Sequence, residues 1–371
     1  MPNFDIVKKH IPKETFRTNS VIGTYDLQTN SVEERFKGNI DIDNDWKIGL
    51  IVGKSGTGKT TIAKQLFSDI IIESFEYNAD SVLDDMPKDK SVSDICKAFN
   101  SVGFSSPPSW LKPYSVLSNG EKMRCDLARA ILSENKMFLF DEFTSVVDRN
   151  VAKIGSLAMQ KSIRKSDKQF IAVTCHHDVE DWLLPDWVFN TDTMTFHNYG
   201  EQKKNKPEIN FKIYETKHKS RYWSMFSKYH YLNHSFNKAS RVFIGTCNDE
   251  IFGICAVLPF PHPIKKNFWK EHRTVVLPDY QGIGLGSKLS NEIGEILHKD
   301  KKGFISTSSN PAFINSRKRS RNWVITRVGR TSKGSNTGKI QNKNKKGSTS
   351  VNRITVSFQY IPNEKAHKNI P

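Results

Sequence analysis

Residues 53–60 read Gly-Lys-Ser-Gly-Thr-Gly-Lys-Thr and complete a G-x-x-x-x-G-K-[ST] loop. With Gly53, Gly56 and Gly58 in it, the backbone can turn consecutive N–H groups toward phosphate oxygens, and the helix that follows offers its positive N-terminus. Ser55 and Thr61 belong to the same phosphate-binding stretch, Lys59 reaches the terminal phosphates of ATP, and Thr60 ligates Mg²⁺. The flanks suit this chemistry, because 48–52 reads as an apolar strand and 61–67 as a helix. Farther on, residues 136–142 (KMFLFDE) form an apolar strand that ends in two carboxylates. Asp141 is placed to hold Mg²⁺, directly or through water, and Glu142 to activate an attacking water. Alone, a core strand with an acidic end looks the same; beside a phosphate loop, the catalytic reading prevails.

Between the two lies Leu-Ser-Asn-Gly-Glu at 117–121, opening a helix over 122–132. Ser118 and Gly120 present a helix N-terminus to an anion on the opposite side of the domain, although Ser-Asn-Gly by itself is an ordinary cap. The order of segments changes the weighting: phosphate loop, LSNGE, FLFDE, then TSVVD at 144–148, then VTCHHD at 173–178. In that order the chain resembles an ABC-type ATPase over about 21–196, with signature, Walker B strand, D-loop and switch histidine. The resemblance implies an ATP-dependent head-to-tail homodimer. Ser118 and Gly120 would contact the γ-phosphate in the facing copy, Glu142 would be the general base, and His176 would sense the γ-phosphate. His177 is a rival for that role, but the distance from His176 to Asp186 better matches the family spacing. Three departures stand out. Asn119 and Glu121 replace the usual Gly and Gln, only 57 residues separate Thr60 from Ser118, and no glutamine loop is evident. Tyr25 is the upstream aromatic that could stack on adenine or simply pack. Without a coupling segment or membrane domain, soluble ABC ATPases that act on nucleic acid or ribosomes are the nearer comparison.

A second glycine cradle, Gln281-Gly282-Ile283-Gly284-Leu285-Gly286, follows a β-branched strand and precedes an amphipathic helix over 287–298. A Rossmann site would want an acid closing the next strand, and 303–307 has none. The run instead matches [QR]-x-x-G-x-[GA], and residues 208–361 resemble GNAT-type acyltransferases. Strands at 210–215, 241–246 and 251–258 and near 304, 324 and 355, with a helix around 221–231, agree with that fold. The resemblance implies acetyl-CoA or another acyl-CoA. Leu277 and its neighbours would bind pantetheine through backbone, and Gln281, Gly282, Gly284 and Gly286 would cradle the pyrophosphate. Transfer needs a base for the amine and an acid for the departing thiolate. Candidates are Glu271 or His272 on the strand and His230 or Tyr231 in the early helix, each equally readable as a core or surface residue. The His-Tyr pair is similar to that of Mom-type DNA-modification enzymes, which are GNAT-like and act on adenine in DNA.

The elements that must hold these groups fit an α/β chain of 371 residues, 37% hydrophobic and 26% charged, long enough for about two domains. We expect an ABC-type P-loop ATPase domain at 1–200, a polar linker at 201–207, and an α/β GNAT acyltransferase-like domain at 208–371 carrying a basic loop at 331–352. No apolar run approaches the ~20 residues of a membrane helix, and no signal-peptide core opens the chain, so no membrane is expected. Five cysteines without a C-x-x-C pair suit neither a disulfide framework nor a zinc cluster and point to a reducing, cytoplasmic setting. Charge is divided unevenly: 24 Lys and Arg face 28 Asp and Glu in 1–200, but 32 face 11 in 201–371. Arg317, Lys318, Arg319, Arg321, Arg327 and Arg330, with Trp323 among them, would offer phosphate contacts and stacking to nucleic acid, with binding that falls steeply with salt. A solvated basic face is the plainer reading. The expected activity is ATP hydrolysis coupled to acetyl-CoA-dependent N-acyl transfer onto a DNA or RNA base. Alternatives are an ATP-regulated protein acetyltransferase and a nucleic-acid-binding ATPase whose CoA-binding domain is not catalytic.

Overall fold

The computed structural model describes residues 3–27, 32–42, 45–72, 74–200, 209–230, 236–261, 266–330 and 353–362. The chain packs into two compact units, residues 1–102 with 111–207 and residues 103–110 with 208–371. The expected linker 201–207 and basic loop 331–352 lie outside the described residues. Segment 103–110 departs from a single cut near residue 200. Within the second unit Ser105 N donates to Gln281 Oε1 at 2.8 Å. Gly103 lies so close to the same residue that a Cβ would meet the Gln281 carbonyl oxygen at 2.5 Å.

The first unit opens with β1 (Asn3–His10), α1 (Phe16–Thr24) and β2 (Val32–Asn39). The two strands pair antiparallel, and Thr15 caps α1, which buries none of its residues. Then follow β3 (Ile48–Val52), α2 (Lys59–Phe67), β4 (Ile71–Ile72), α3 (Val92–Ser101), α4 (Pro107–Trp110, grouped with the second unit), α5 (Asn119–Leu132) and β5 (Met137–Phe140). The unit closes with α6 (Arg149–Ile163), β6 (Gln169–Thr174), α7 (Val179–Leu183), β7 (Trp187–Asn190) and β8 (Thr195–Asn198). Six strands form one sheet in the order β4-β5-β6-β3-β7-β8, parallel except for β8. All five residues of β3 are buried, as a central parallel strand covered on both faces requires. Gly49 leaves room for the Trp187 ring, which a Cβ there would meet at 2.0 Å. This topology brings the carboxyl ends of β3, β5 and β6 to one edge, where ligands of open α/β sheets bind.

The second unit contains β9 (Phe211–Glu215), α8 (Lys219–Phe226), β10 (Arg241–Cys247), β11 (Glu250–Pro259), β12 (Phe268–Val276), α9 (Leu285–Lys299), β13 (Gly303–Ser308), α10 (Pro311–Lys318), β14 (Trp323–Arg330) and β15 (Ile354–Tyr360). Its seven strands run β14-β15-β13-β12-β11-β10-β9. Only β12 and β13 are parallel neighbours, paired over Phe268–Lys270 with Gly303–Ile305 and not beyond. Leu285, Leu289, Ile293 and Leu297 recur every four residues along α9 and are buried, which fixes that helix on the sheet. The helix expected around 221–231 is shorter, α8 ending at Phe226 before a 3₁₀ turn. No helix among the described residues is long and apolar enough to cross a membrane.

Candidate active sites

The phosphate loop leaves β3 and enters α2 through Gly56 and Gly58, both at φ +85°. Such a φ favours glycine, and at Gly58 a Cβ would also meet the Phe36 ring at 2.4 Å. Lys59 is buried and donates from Nζ to Lys54 O at 2.7 Å, so its ammonium already sits within the loop. The loop is braced from the β7–β8 turn, where Asp192 Oδ1 accepts from Lys54 N at 2.8 Å and Thr191 Oγ1 meets Thr57 Oγ1 at 2.6 Å. Sequence reading missed both bracing residues. His177 Nε2 lies 3.2 Å from Asp192 Oδ2, so His177 is engaged in this brace, while His176 follows the end of β6 beside the loop. Accepting from Lys54 N lowers the Asp192 carboxyl below its usual range, with help from His177.

Asp141 and Glu142 end β5. Glu142 and Thr144 sit at φ +53° and +67°, a left-handed conformation unusual for non-glycine residues that concentrates at functional sites. Phe143 N, bonded to Val173 O at 2.8 Å, holds this turn against β6. Thr60 and Asp141 are oxygen donors of the kind Mg²⁺ takes. The described residues contain no cluster of three metal-ligating side chains, so a Mg²⁺ here would draw its other ligands from phosphates and water.

Ser118 is the N-cap of α5 and forms a capping box with Glu121. That gives the Glu121 departure a local cause. Asn119 Nδ2 donates to Val146 O at 3.2 Å, tying the signature to the 144–148 segment. Gly120 is buried in the first turn. The helix itself is latched by a group invisible in the motifs: Tyr77 and Tyr114, stacked at 3.9 Å, both donate to the Asp126 carboxylate at 2.7 Å. Burial raises the Asp126 carboxyl despite these donors. Tyr25, the adenine candidate, is exposed at the C-cap of α1.

In the second unit Gly282 and Gly284 adopt φ +93° and +95°, and Gly284 is the N-cap of the 15-residue α9. No atom lies within 4 Å of a Cβ built at Gly284, whereas Gly286 packs against Val276 and Phe313. Gly284 thus opens α9 onto free space, and a helix N-terminus is where an anion can bind. Gln281 braces this turn rather than lining it, its Nε2 donating to Val276 O at 2.9 Å while Oε1 accepts from Ser105 N. Both backbone groups of Leu277 are engaged, the N–H with Phe252 O and the carbonyl with Tyr280 N. Beyond Lys270, the edge of β12 has no ladder partner in β13.

Glu271 is not placed as a base. It is buried and bonded to Arg317 Nη2 at 2.6 Å, with Ser306 and Thr274 donating to the same carboxylate. Burial alone would raise its pKa, but Arg317 and the two hydroxyls outweigh that and hold it below the usual range. Arg317 also bonds Ser306 and Ser290 and lies 4.4 Å from the Trp323 ring centroid. Trp323, itself buried, donates to Asn291 Oδ1. Both residues therefore leave the basic surface assigned to them from sequence. Lys318, Arg319, Arg321, Arg327 and Arg330 remain exposed. His230 is buried edge-on to Trp223 at 5.8 Å, and Tyr231 lies outside the described residues. His272 is different. It lines a cavity of about 370 Å³ where β12 and β13 part, and burial, with Arg273 and Lys270 nearby, pushes its pKa down to about 4. Its Nε2 has no hydrogen-bond partner.

Residues 49–178 match the family model of the ATPase family associated with various cellular activities (AAA), and residues 238–320 that of the acetyltransferase (GNAT) domain. The chain thus joins a P-loop ATPase segment to a GNAT segment in a mixed α/β architecture. The mRNA export factor elf1 of Schizosaccharomyces pombe is 26% identical over 152 residues, 34% of this chain and 14% of that protein. Among solved structures, a dimeric bacterial ABC transporter cassette is similar at 15% identity and TM-score 0.34, over 42% of this chain and 87% of its own. The ribosomal-protein-S18-alanine N-acetyltransferase from Escherichia coli is similar at 14% identity and TM-score 0.30, over 40% of this chain and 92% of its own.

Proposed function

We propose that this is a bifunctional protein, an ABC-type ATPase joined to an acetyl-CoA-dependent N-acyltransferase that modifies a nucleic-acid base in the cytoplasm. The observation that carries this reading is a pair of separate backbone cradles, 53–60 and 281–286, each built on left-handed glycines and each opening a helix of at least nine residues. In the first unit the loop N–H groups, Lys59 and Thr60 hold the triphosphate, and Glu142 orients and deprotonates the attacking water. Mg²⁺ held by Thr60 and Asp141 would neutralise charge on the β- and γ-phosphates. With His177 engaged by Asp192, His176 is the histidine left to contact the γ-phosphate. Ser118 and Gly120 complete the site of a second copy, so hydrolysis requires an ATP-bound homodimer.

In the second unit the cradle anchors acetyl-CoA and the unpaired β12 edge aligns its arm. The acceptor amine nitrogen attacks the thioester carbonyl carbon, the C–S bond breaks, and the sulfur leaves with the electron pair. His272 takes the proton that the attacking nitrogen loses and passes it through solvent to the departing thiolate, so that amine and thioester become amide and thiol. With its pKa lowered to about 4 by burial, the imidazole is neutral but a weak base at pH 7, strong enough only for the acidic ammonium formed once the nitrogen has attacked. The exposed arginines and lysine at 318–330 supply the electrostatic attraction for the nucleic acid. Glu142→Gln should abolish hydrolysis while trapping an ATP-bound dimer. If that variant stays monomeric with ATP at micromolar protein, the head-to-tail reading fails.

A further inference from the structure

We propose that the buried Glu271–Arg317 pair positions His272, by keeping β12 bulged and parted from β13 where the imidazole turns into the cavity. The proposal rests on the acyl-transfer reading above and adds two positioning residues to it. The ladder between β11 and β12 matches Val257 to Glu271 and Ala256 to Arg273, so His272 is an extra residue with no partner across. A bulge of that kind bends its strand and re-aims a side chain. A second contact agrees. Thr274 Oγ1 donates to Glu271 Oε1, which puts residues three apart on one face of β12, whereas a regular strand returns to a face every second residue. Glu271 turns toward α9 and α10, where Ser290 and Arg317 meet it. His272 lines the cavity and lies 6.4 Å from the Phe236 ring between centroids.

The bulge falls where the parallel ladder stops. Strands β12 and β13 pair as far as Lys270 with Ile305, and the next residues along them are Glu271 and Ser306. Side chains join the strands at that point. Ser306 donates to Glu271, and Arg317 reaches both, Nη1 to Ser306 Oγ and Nη2 to Glu271 Oε2, each at 2.6 Å. Nη2 also meets Ser290 Oγ at 2.9 Å, which fixes the guanidinium to α9. A planar fork with donors in fixed directions spans two strands in this way, where a lysine would be a single point charge. Two apolar side chains would serve stability as well as this pair or better. They would not bridge the fork from α10.

The test uses the full chain with ¹³C-labelled histidine, the His272 resonance being assigned by its loss in His272→Gln. The charged groups lining the cavity with His272 are Lys270, Glu271, Arg273 and Arg353. Glu271→Leu/Arg317→Met removes one carboxylate and one guanidinium together, so the net charge nearby is unchanged and a shifted titration reports a moved ring. His272 titrates at about 4 in the native chain. In the double variant, shown to be folded by urea unfolding, it should rise by about one unit or more toward its ordinary value. Ser306→Ala, which cuts only the link from Arg317 to β13, should move it the same way by less. His272 still titrating near 4 in the folded double variant, or in Ser306→Ala should the double variant not fold, overturns the proposal. Coenzyme A titrated into the native chain tests the reading beneath it. Absence of binding there overturns acyl transfer and leaves the His272 result to stand as geometry alone.

Discussion

Replacing Arg317 with methionine should destabilise the second unit by about 3–5 kcal/mol at neutral pH, the cost of leaving one partner of a buried ion pair uncompensated. Arg317 is 2% exposed and Glu271 9%, at 2.6 Å. Methionine fills most of the volume but supplies no donor to the carboxylate, to Ser306 or to Ser290. The sign of the pH dependence follows. In the native chain Glu271 is held below its unfolded value of 4.5, so it contributes stability above that pH and loses it in acid. Without Arg317, burial dominates and the folded carboxyl rises above 4.5, so the penalty is full at pH 7 and shrinks toward pH 4.5. Urea unfolding by intrinsic fluorescence at pH 7.5 and pH 5 measures both, and the transition that coenzyme A shifts belongs to this unit. The double variant Glu271→Leu/Arg317→Met should regain most of the loss. A cost under about 1 kcal/mol, or one that does not diminish with acid, would refute the account of this pair.

Tyr114→Phe removes one hydrogen bond to a buried carboxylate, worth about 1.5–3 kcal/mol. In a Glu142→Gln background, sedimentation should show ATP-driven dimerisation weakened about tenfold or more, with ATP affinity of the monomer unchanged. The pH profile of acyl transfer should lack an inflection near 6.5, the ordinary histidine value, because His272 stays neutral down to about 4. The same shift makes folding stability fall as pH drops from 6.5 toward 4, where only the unfolded histidine gains a proton, and His272→Gln should remove that slope.

Both strand–glycine turn–helix units could be read from the chain because such a turn is contiguous backbone geometry, which demands glycines at fixed spacing with a strand and a helix on either side. The same holds for β3 and α9, whose apolar runs carry their own period. What escaped depends on long sequence separation. The Glu271–Arg317 pair spans 46 residues and turned both a supposed base and a supposed surface cation into core. The Asp192 brace on Lys54 spans 138 residues, and the Tyr77–Asp126 latch 49. No local pattern announces such partners. Strand β1, with its register against β2 from Asn3 to His10, also went unread, because the apolar residues of NFDIVKKH do not alternate with polar ones over its length.

The central claim, two independent phosphate cradles in one chain, is tested most directly by Gly284→Val. A β-branched residue at φ +95° strains the turn and puts a side chain into the hollow. Calorimetric titration of coenzyme A should then show no binding, while ATP hydrolysis proceeds at the wild-type rate. Undiminished coenzyme A affinity in a folded variant would contradict the account.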